Sequence, residues 1–301
     1  MELKAISQEI LWIVILLAIV LSFVIPETGQ IFTPYLIIPL LVLMFFTMLN
    51  IPINDILTGA HKKGAISRGL IVFFVISPII AVLASLFLRP EYAVGLIFCS
   101  ALPCATSAAF YVSRLGGNGA LALILTALST MLAPILTPIL TLFLAGTRVE
   151  VDAFVMFLDL FGFIVLPLIA AEVLRYLVGK KTVKKISDAG QILAPICIFF
   201  IVFGTISVSS GILFGLVPLA IASIVLFVGS FVAGYLFVPK YGLAIGYSAA
   251  FRNSSLGMVI ALNTLGPIYA VPAVMLTLIY NVILIPLILI YKKRKPNAQA
   301  I

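Results

Sequence analysis

Residues 245–260 read IGYSAAFRNSSLGMVI, an apolar stretch that is interrupted in its middle by Arg-Asn-Ser-Ser. The rest of the chain is equally apolar: 63% of its 301 residues are hydrophobic, 9% are charged, and the mean hydropathy is +1.31. A soluble domain carries about 45 to 50% apolar and about 25% charged residues. Because water could not solvate the surface that this sequence would expose, it predicts a polytopic membrane protein.

Ten apolar segments are bounded by proline, glycine and charge, and each is long enough to cross a hydrocarbon core of roughly 30 Å. The predicted fold is therefore an all-α protein with ten transmembrane helices. A transmembrane β-barrel would alternate apolar and polar residues, whereas residues 11–24 are apolar except at Ser22. The predicted spans are 8–25, 34–53, 67–88, 92–116, 118–145, 152–177, 188–208, 212–237, 241–265 and 268–291.

The net charge of +8 follows from the loops between the predicted spans. With the N-terminus inside, 15 of the 18 basic residues fall on the inner side, and only Arg89 and Arg148 on the outer side. This bias obeys the positive-inside rule. It predicts a multi-pass protein of the cell membrane with both termini in the cytoplasm, and the lipid bilayer rather than nucleic acid as the partner of the positive charge. The remaining basic residue, Arg252, lies within the ninth predicted span.

An internal repeat relates the two halves of the chain. Residues 92–131 can be laid over residues 241–280 at an offset of 149, which aligns Pro103 with Arg252. Five spans per half is an odd number, so the halves must have opposite orientations in the membrane. Inverted repeats with interrupted helices are the architecture of secondary transporters. The predicted domains are a first five-helix repeat at 1–146 and a second at 147–301.

The fourth predicted span contains Pro103, Thr106 and Ser107. Proline removes a backbone donor and disfavours helix at the residue before it, so the helix should break there and free some carbonyl groups. The half-helix that resumes near Thr106 would present N–H groups and a positive dipole end, which favour an anion. Alternatively, these hydroxyl groups bond only to their own helix backbone.

Arg252 is a charged residue inside a predicted span and therefore needs a partner. Insertion of an arginine at the centre of a span costs about 2.5 to 3.5 kcal/mol of free energy on insertion scales. Three partners are open for it: a substrate anion, carbonyl groups freed at the two breaks, and Asp159 in the sixth predicted span. The other polar groups in the apolar segments are Asn253, Ser254 and Ser255 at the same break, Thr126 and Ser129 in the fifth span, and Asn281 in the tenth.

Motifs for catalysis or for tightly bound cofactors are not found. The sequence has no phosphate-binding loop, metal-ligand cluster or catalytic triad pattern, so it predicts neither an enzyme nor a metal or cofactor site. The three cysteines, Cys99, Cys104 and Cys197, fall in apolar stretches and give no reason to expect a disulfide framework.

A further set of residues carries a family resemblance over nearly the whole chain. These residues are Pro39-Leu40 with Met44-Phe45, Pro78, Leu102-Pro103 with Thr106, Leu128-Ser129-Thr130, Pro134, Pro138, Leu144-Ala145-Gly146, Arg252-Asn253-Ser254, Ala270-Val271-Pro272 and Asn281. The sequence resembles the bile acid:sodium symporter family, within a superfamily that also contains arsenite permeases and auxin-efflux-type carriers.

This resemblance implies a panel of helices 1, 2, 6 and 7, and a core of helices 3–5 and 8–10 in which the broken helices 4 and 9 cross. Substrate would lie between panel and core beside the crossing. Thr106 and Asn253 match positions that contact substrate in that family, and Asn281 matches a polar tenth-helix position. The predicted substrate-binding residues are Thr106, Ser107, Arg252, Asn253, Ser254 and Asn281.

The sequence departs from the sodium-coupled members at the places where they carry oxygen ligands. Those places read Ala108, Ala109, Ser248, Arg252 and Phe73 in this chain. Sodium requires several oxygen ligands, including anionic ones, by the logic that governs other hard cations. We therefore expect no bound sodium, with the Arg252 guanidinium standing where the ion would lie. The predicted remnant of the ion site is Thr126, Ser129 and Ser248.

These features predict a sodium-independent secondary transporter of a small organic anion that works by alternating access. A second hypothesis is a sodium-coupled symporter for organic anions of the bile-acid type, whose ligands lie at other positions. A third is an arsenite-type permease, suggested by Cys104 directly after Pro103. A membrane receptor or sensor that binds a ligand without moving it is the hypothesis from a different class.

Overall fold

The computed structural model describes residues 2–50, 62–145, 151–209 and 216–294. Within these ranges every long element is a helix. We number the helices α1 Glu2–Val24, α2 Pro26–Phe32, α3 Ile37–Leu49, α4 Lys63–Ile71, α5 Ser77–Ala84, α6 Pro90–Ala101, α7 Ser107–Arg114, α8 Gly119–Ala145, α9 Ala153–Leu177, α10 Lys180–Ser209, α11 Leu216–Phe237, α12 Gly242–Ala250, α13 Ser254–Thr264 and α14 Pro267–Arg294. A π-helical turn, Val72–Ile76, joins α4 to α5.

Several of these helices are long and apolar enough to cross a membrane. Five segments qualify by length and hydropathy: Lys63–Ala84, Gly119–Ala145, Ala153–Leu177, Lys181–Ser209 and Leu216–Phe237. A sixth is the pair Ile13–Val24 and Pro26–Tyr35, which is bent by 112°. The protein is thus an all-helical membrane protein. The count of ten spans and the division into two inverted five-helix repeats stay predictions.

Some predicted boundaries are corrected by the structure. The seventh predicted span, 188–208, is the end of a longer helix that begins at Lys180, since the lysine-rich turns before it are also helical. The third, 67–88, overlaps a helical segment that begins earlier, at Lys63, and also ends earlier, at Ala84. Arg148, Gly146 and the predicted span ends at 51–53 and 212–215 lie outside the described residues.

The two predicted helix breaks are present. The fourth predicted span is divided into α6 and α7, and the ninth into α12 and α13. Leu102 follows α6 in an extended conformation, with φ −65° and ψ 156°, as expected for a residue before proline. Phe251 follows α12 with φ −90° and ψ 99°. Each span therefore has a short unwound segment between its half-helices.

The unwound segments cross and pair as a short antiparallel bridge. The Ala105 N–H donates to the Phe251 carbonyl at 2.8 Å, and the Asn253 N–H donates to the Pro103 carbonyl at 2.8 Å. Cys104 lies opposite Arg252 in this bridge. An offset of 148 residues converts one bond into the other, one fewer than the offset of 149 in the sequence alignment.

The difference arises because the unwound segments have unequal lengths. The first half-helices, α6 and α12, end at positions 149 residues apart, whereas the second half-helices, α7 and α13, begin 147 residues apart. No single offset fits both sides of the break. The offset of 149 holds for the residues before the break, and the offset of 148 holds at the bridge in the centre of the break.

Gly246 of α12 packs directly against the backbone of α11. A Cβ on Gly246 would lie 2.5 Å from the Phe231 carbonyl oxygen and 3.1 Å from the Tyr235 nitrogen, so the two helix backbones would have to separate. Gly246→Ala should therefore lower the free energy of unfolding by about 1 to 3 kcal/mol. Thermal unfolding of the purified protein in detergent would measure this loss.

Gly162→Ala is the matched control, because Gly162 also lies inside a long apolar helix but has no atom within 4 Å of an added Cβ. Its unfolding temperature should stay the same or rise slightly, since alanine favours helix over glycine. Equal unfolding temperatures for Gly246→Ala and the unmodified protein would show that this contact has room to relax.

Candidate functional site

A cavity of about 420 Å³ lies beside the crossing. One wall is formed by α1, α3 and α10, and the other by the crossing with α7, α13 and α14. These helices fall in the predicted panel and the predicted core, respectively. The cavity extends from Arg252 to Asn50, the residue after α3, and to Gln191, which lies about three turns after the start of α10. It therefore reaches toward the end of the molecule where the lysine-rich start of α10 lies.

Thr106 and Asn253 line the cavity at the starts of the two second half-helices. The Thr106 hydroxyl donates to Thr47 Oγ1 at 3.4 Å, and Asn253 Nδ2 contacts Met44 Sδ at 3.9 Å. The other Asn253 side-chain atom, Oδ1, accepts from the Leu256 N–H at 3.1 Å and caps α13. Met44 and Thr47 lie one turn apart on α3, so a single helix face meets both predicted substrate-binding side chains.

Ser107, Ser254 and Asn281 also line the cavity. Thr277 connects two of them: its hydroxyl donates to Ser254 Oγ at 2.7 Å, and Asn281 Nδ2 donates to the Thr277 carbonyl at 2.7 Å. Thr277 was not singled out from the sequence. Its spacing of four residues from Asn281 on one helix was the available signal.

The Arg252 guanidinium is held by backbone carbonyl groups. Its side chain is buried, with the residue 3% exposed, and Nη1 donates to the Leu102 carbonyl at 3.0 Å. Nη2 donates to the Phe73 carbonyl at 3.1 Å, and the guanidinium carbon lies 5.0 Å from the centre of the Phe73 ring. Leu102 precedes Pro103, and Phe73 lies in the π-helical turn, so both carbonyls are at irregular points of the backbone.

Of the three partners that the sequence left open for the guanidinium, the structure contains the backbone carbonyls, and direct contact of Arg252 with a substrate anion stays a prediction. Both of its described hydrogen bonds go to carbonyls, one of them at a helix break as expected. Asp159 lies near Asn263 of α13, and within the described residues it forms no ion pair with Arg252. The sequence predicted only that the Phe73 side chain replaces an oxygen ligand of sodium. In the structure the Phe73 main-chain carbonyl also binds the Arg252 guanidinium.

The predicted remnant of the ion site lies around Cys104. The Ser129 hydroxyl accepts from the Cys104 N–H at 3.1 Å and donates to the Thr126 carbonyl at 3.0 Å. The Thr126 hydroxyl donates to the Ala122 carbonyl at 2.9 Å and lies 3.3 Å from Cys104 Sγ. Ser248 is fully buried near this group. Thr126 and Ser129 therefore contact the first unwound segment, at Cys104, and their described hydrogen bonds are all to protein atoms.

The charge of the site comes from Arg252 alone within the described part of the chain. None of the cavity-lining residues there is Asp, Glu, His or Lys. Cys104 is also not among the lining residues, and it is 1% exposed. In the same described ranges, no group of three or more His, Cys, Asp or Glu side chains could hold a metal ion.

A helical membrane fold in which two interrupted helices cross beside a cavity is the architecture of many secondary transporters. The chain also matches the model of the Sodium Bile acid symporter family over residues 37–217, more than half of its length. The protein belongs to this family.

Relatives with curated names agree with this membership. The chain is 28% identical over 293 residues to the "Probable sodium/metabolite cotransporter BASS1, chloroplastic" of Arabidopsis thaliana, with 90% of this chain and 70% of the relative covered. It is 26% identical over 281 residues to the "Uncharacterized sodium-dependent transporter YocS" of Bacillus subtilis, with 90% and 86% covered. One relative is named for the chloroplast, so placement in the cell membrane with cytoplasmic termini stays a prediction.

Proposed function

We propose that the protein is a sodium-independent secondary carrier of small organic anions that works by alternating access. This proposal rests on the position of Arg252, whose guanidinium binds the Leu102 and Phe73 carbonyls at the crossing. A planar guanidinium can bridge two carbonyl groups with a fixed positive charge. In this carrier a permanent cation does the electrostatic task that a dissociable sodium ion performs in sodium-coupled relatives.

An anion is favoured as substrate because donors converge on the cavity. The Thr106 hydroxyl and Asn253 Nδ2 contact only weak partners in the panel wall, at 3.4 Å and 3.9 Å. A carboxylate would accept from the same donors at shorter distances, about 2.5 to 2.9 Å, in charge-assisted bonds. The start of α13 adds the positive end of a helix dipole. Apolar side chains of Leu43, Phe46 and Phe110 line the remainder and suit a carbon skeleton.

Alternating access would move the panel helices past the core. The cavity now extends toward the basic end, while at the other end Ser209 Oγ of α10 lies 3.2 Å from the Pro267 carbonyl oxygen of α14 and shares its proton with the Thr205 carbonyl at 2.9 Å. Opening the second side would break that contact. Without sodium, concentrative uptake needs either a coupled proton or exchange for an internal anion, and downhill efflux is the third mode.

Sodium independence is testable without knowing the substrate, because a ligand that binds only the folded state stabilises it by mass action. Replacing sodium with potassium or choline should leave the unfolding temperature of the purified protein unchanged. The sodium-coupled alternative, which the names of the relatives favour, requires a saturable rise in unfolding temperature that is specific to sodium.

The substrate can be sought by the same measurement. A thermal-shift screen of small carboxylates, sulfonates and other organic acids should produce a saturable rise for the transported class. Flux of the best compound into proteoliposomes then separates a carrier from a receptor that binds without transport. Binding with no flux above that of empty liposomes would favour the receptor hypothesis.

A further inference from the structure

Two lysine side chains share one aromatic ring at the edge of the core. Lys62 Nζ lies 5.8 Å from the centre of the Tyr241 ring, and Lys240 Nζ lies 5.7 Å from the same centre. Lys62 directly precedes α4, and Tyr241 directly precedes α12. We call Lys62, Lys240 and Tyr241 the tyrosine–lysine cluster. It lies outside the cavity, and the proposed transport function does not use it.

No acidic residue is described as a partner of this cluster. The ion pairs in the described ranges are Arg89 with Glu91 and Arg175 with Glu172. Neither α4 nor α12 has an acidic residue in its first turn or a side-chain cap, so both helix dipoles add to the positive potential. Two like charges held beside one ring repel each other, and a negative ligand would relieve that repulsion.

The other basic surface at this end of the molecule contains acids. Near the start of α10, Lys184 and Lys185 are exposed, and Asp188 follows within about one turn and accepts from Gln191 Nε2 at 3.2 Å. On α9, Arg175 is paired with Glu172. The positive charge is therefore partly neutralised on α9 and α10, whereas no acidic residue in the described ranges pairs with a lysine of the tyrosine–lysine cluster.

We propose that the tyrosine–lysine cluster binds the phosphate headgroup of an anionic phospholipid. Its lysines stand where apolar helices end, and tyrosine prefers the membrane–water interface. Basic pockets between transmembrane helices accept such headgroups. The cluster also lies at the ends of two elements that hold Arg252: α12 leads to the ninth-span break, and α4 leads to the Phe73 carbonyl. A bound headgroup ties these two ends together.

The test is thermal unfolding of the full chain in detergent with added dioleoylphosphatidylglycerol or dioleoylphosphatidylcholine. The unmodified protein should show a saturable rise in unfolding temperature with the phosphatidylglycerol only. Lys62→Gln/Lys240→Gln should weaken the apparent affinity for this lipid about twenty-five-fold, since each lysine contributes about fivefold. Tyr241→Leu, which keeps both charges but removes the ring between them, should also weaken it, whereas Tyr241→Phe should not.

Lys184→Gln/Lys185→Gln is the matched control, because it removes the same charge from the surface that contains Asp188. It should bind phosphatidylglycerol as the unmodified protein does. An equal loss of affinity in both double variants would overturn the proposal in favour of diffuse attraction. A similar rise with phosphatidylcholine would overturn it, and so would a full rise with glycerol 1-phosphate at the same concentration, which would indicate a site for a soluble phosphate.

Discussion

Arg252→Ala should abolish transport and destabilise the fold, because no other side chain in the described structure contacts both the Leu102 and Phe73 carbonyls. Each buried carbonyl left without a donor costs about 1 to 3 kcal/mol. Arg252→Lys should also impair transport, since a point charge cannot bridge two carbonyls as a planar fork does. The measurements are thermal unfolding and uptake into proteoliposomes under imposed sodium, proton and potassium gradients.

Arg252→Gln separates loss of charge from gain of a sodium site. It restores one oxygen ligand of the sodium-coupled pattern but leaves Ala108 and Ala109 in place. We expect lost transport and no sodium dependence. Arg68→Ala, at an exposed position of α4, is the control and should retain activity. Full activity in Arg252→Ala, or concentrative uptake by the unmodified protein with sodium as the only gradient, would contradict the role assigned to Arg252.

Thr106→Ala and Asn253→Ala should each weaken substrate binding by about 1 to 3 kcal/mol, if each removes a donor from a buried acceptor. Asn253→Asp is the sharper variant. It keeps the oxygen that caps α13, and so the helix start, but it places a negative charge where the anion would bind. Isothermal titration with the compound selected by the thermal-shift screen would give the affinities.

Thr264→Ala controls for loss of a hydroxyl, because Thr264 donates only to the Ile260 carbonyl of its own helix, at 2.8 Å. Its affinity should be that of the unmodified protein. If Thr106→Ala, Asn253→Ala and Asn253→Asp all bind as tightly as Thr264→Ala while remaining folded, the anion site lies elsewhere.

The breaks were predictable from sequence because proline and a charged residue are incompatible with an uninterrupted apolar helix. The carbonyl partner Phe73 was not. A carbonyl is present at every residue whatever its side chain, and the π-helical turn that exposes this one, Val72–Ile76, is entirely apolar in sequence. Sequence could identify the cation and include freed carbonyls among its three possible partners, but it could not identify the Phe73 carbonyl.

The contacts of the panel wall with the crossing were also not predictable from sequence. Thr47 lies in the apolar helix α3, and its hydroxyl could have bonded to its own backbone as other buried threonines do. Only the packing of α3 against the crossing brings Thr47 to Thr106 and Met44 to Asn253. The register of the crossing was also beyond a single alignment offset, because the two unwound segments differ in length.

A guanidinium that belongs to the chain cannot leave it, which determines where a membrane voltage would act on the proposed carrier. A carrier that releases sodium returns without the ion, whereas this one returns with the charge of Arg252 still at the crossing. A bound monoanion would neutralise that charge, so voltage would act mainly on the unloaded form. An inside-negative potential of 100 mV supplies about 2.3 kcal/mol for each charge moved across the whole field. This potential would then favour the conformation in which the unloaded site faces the cytoplasm.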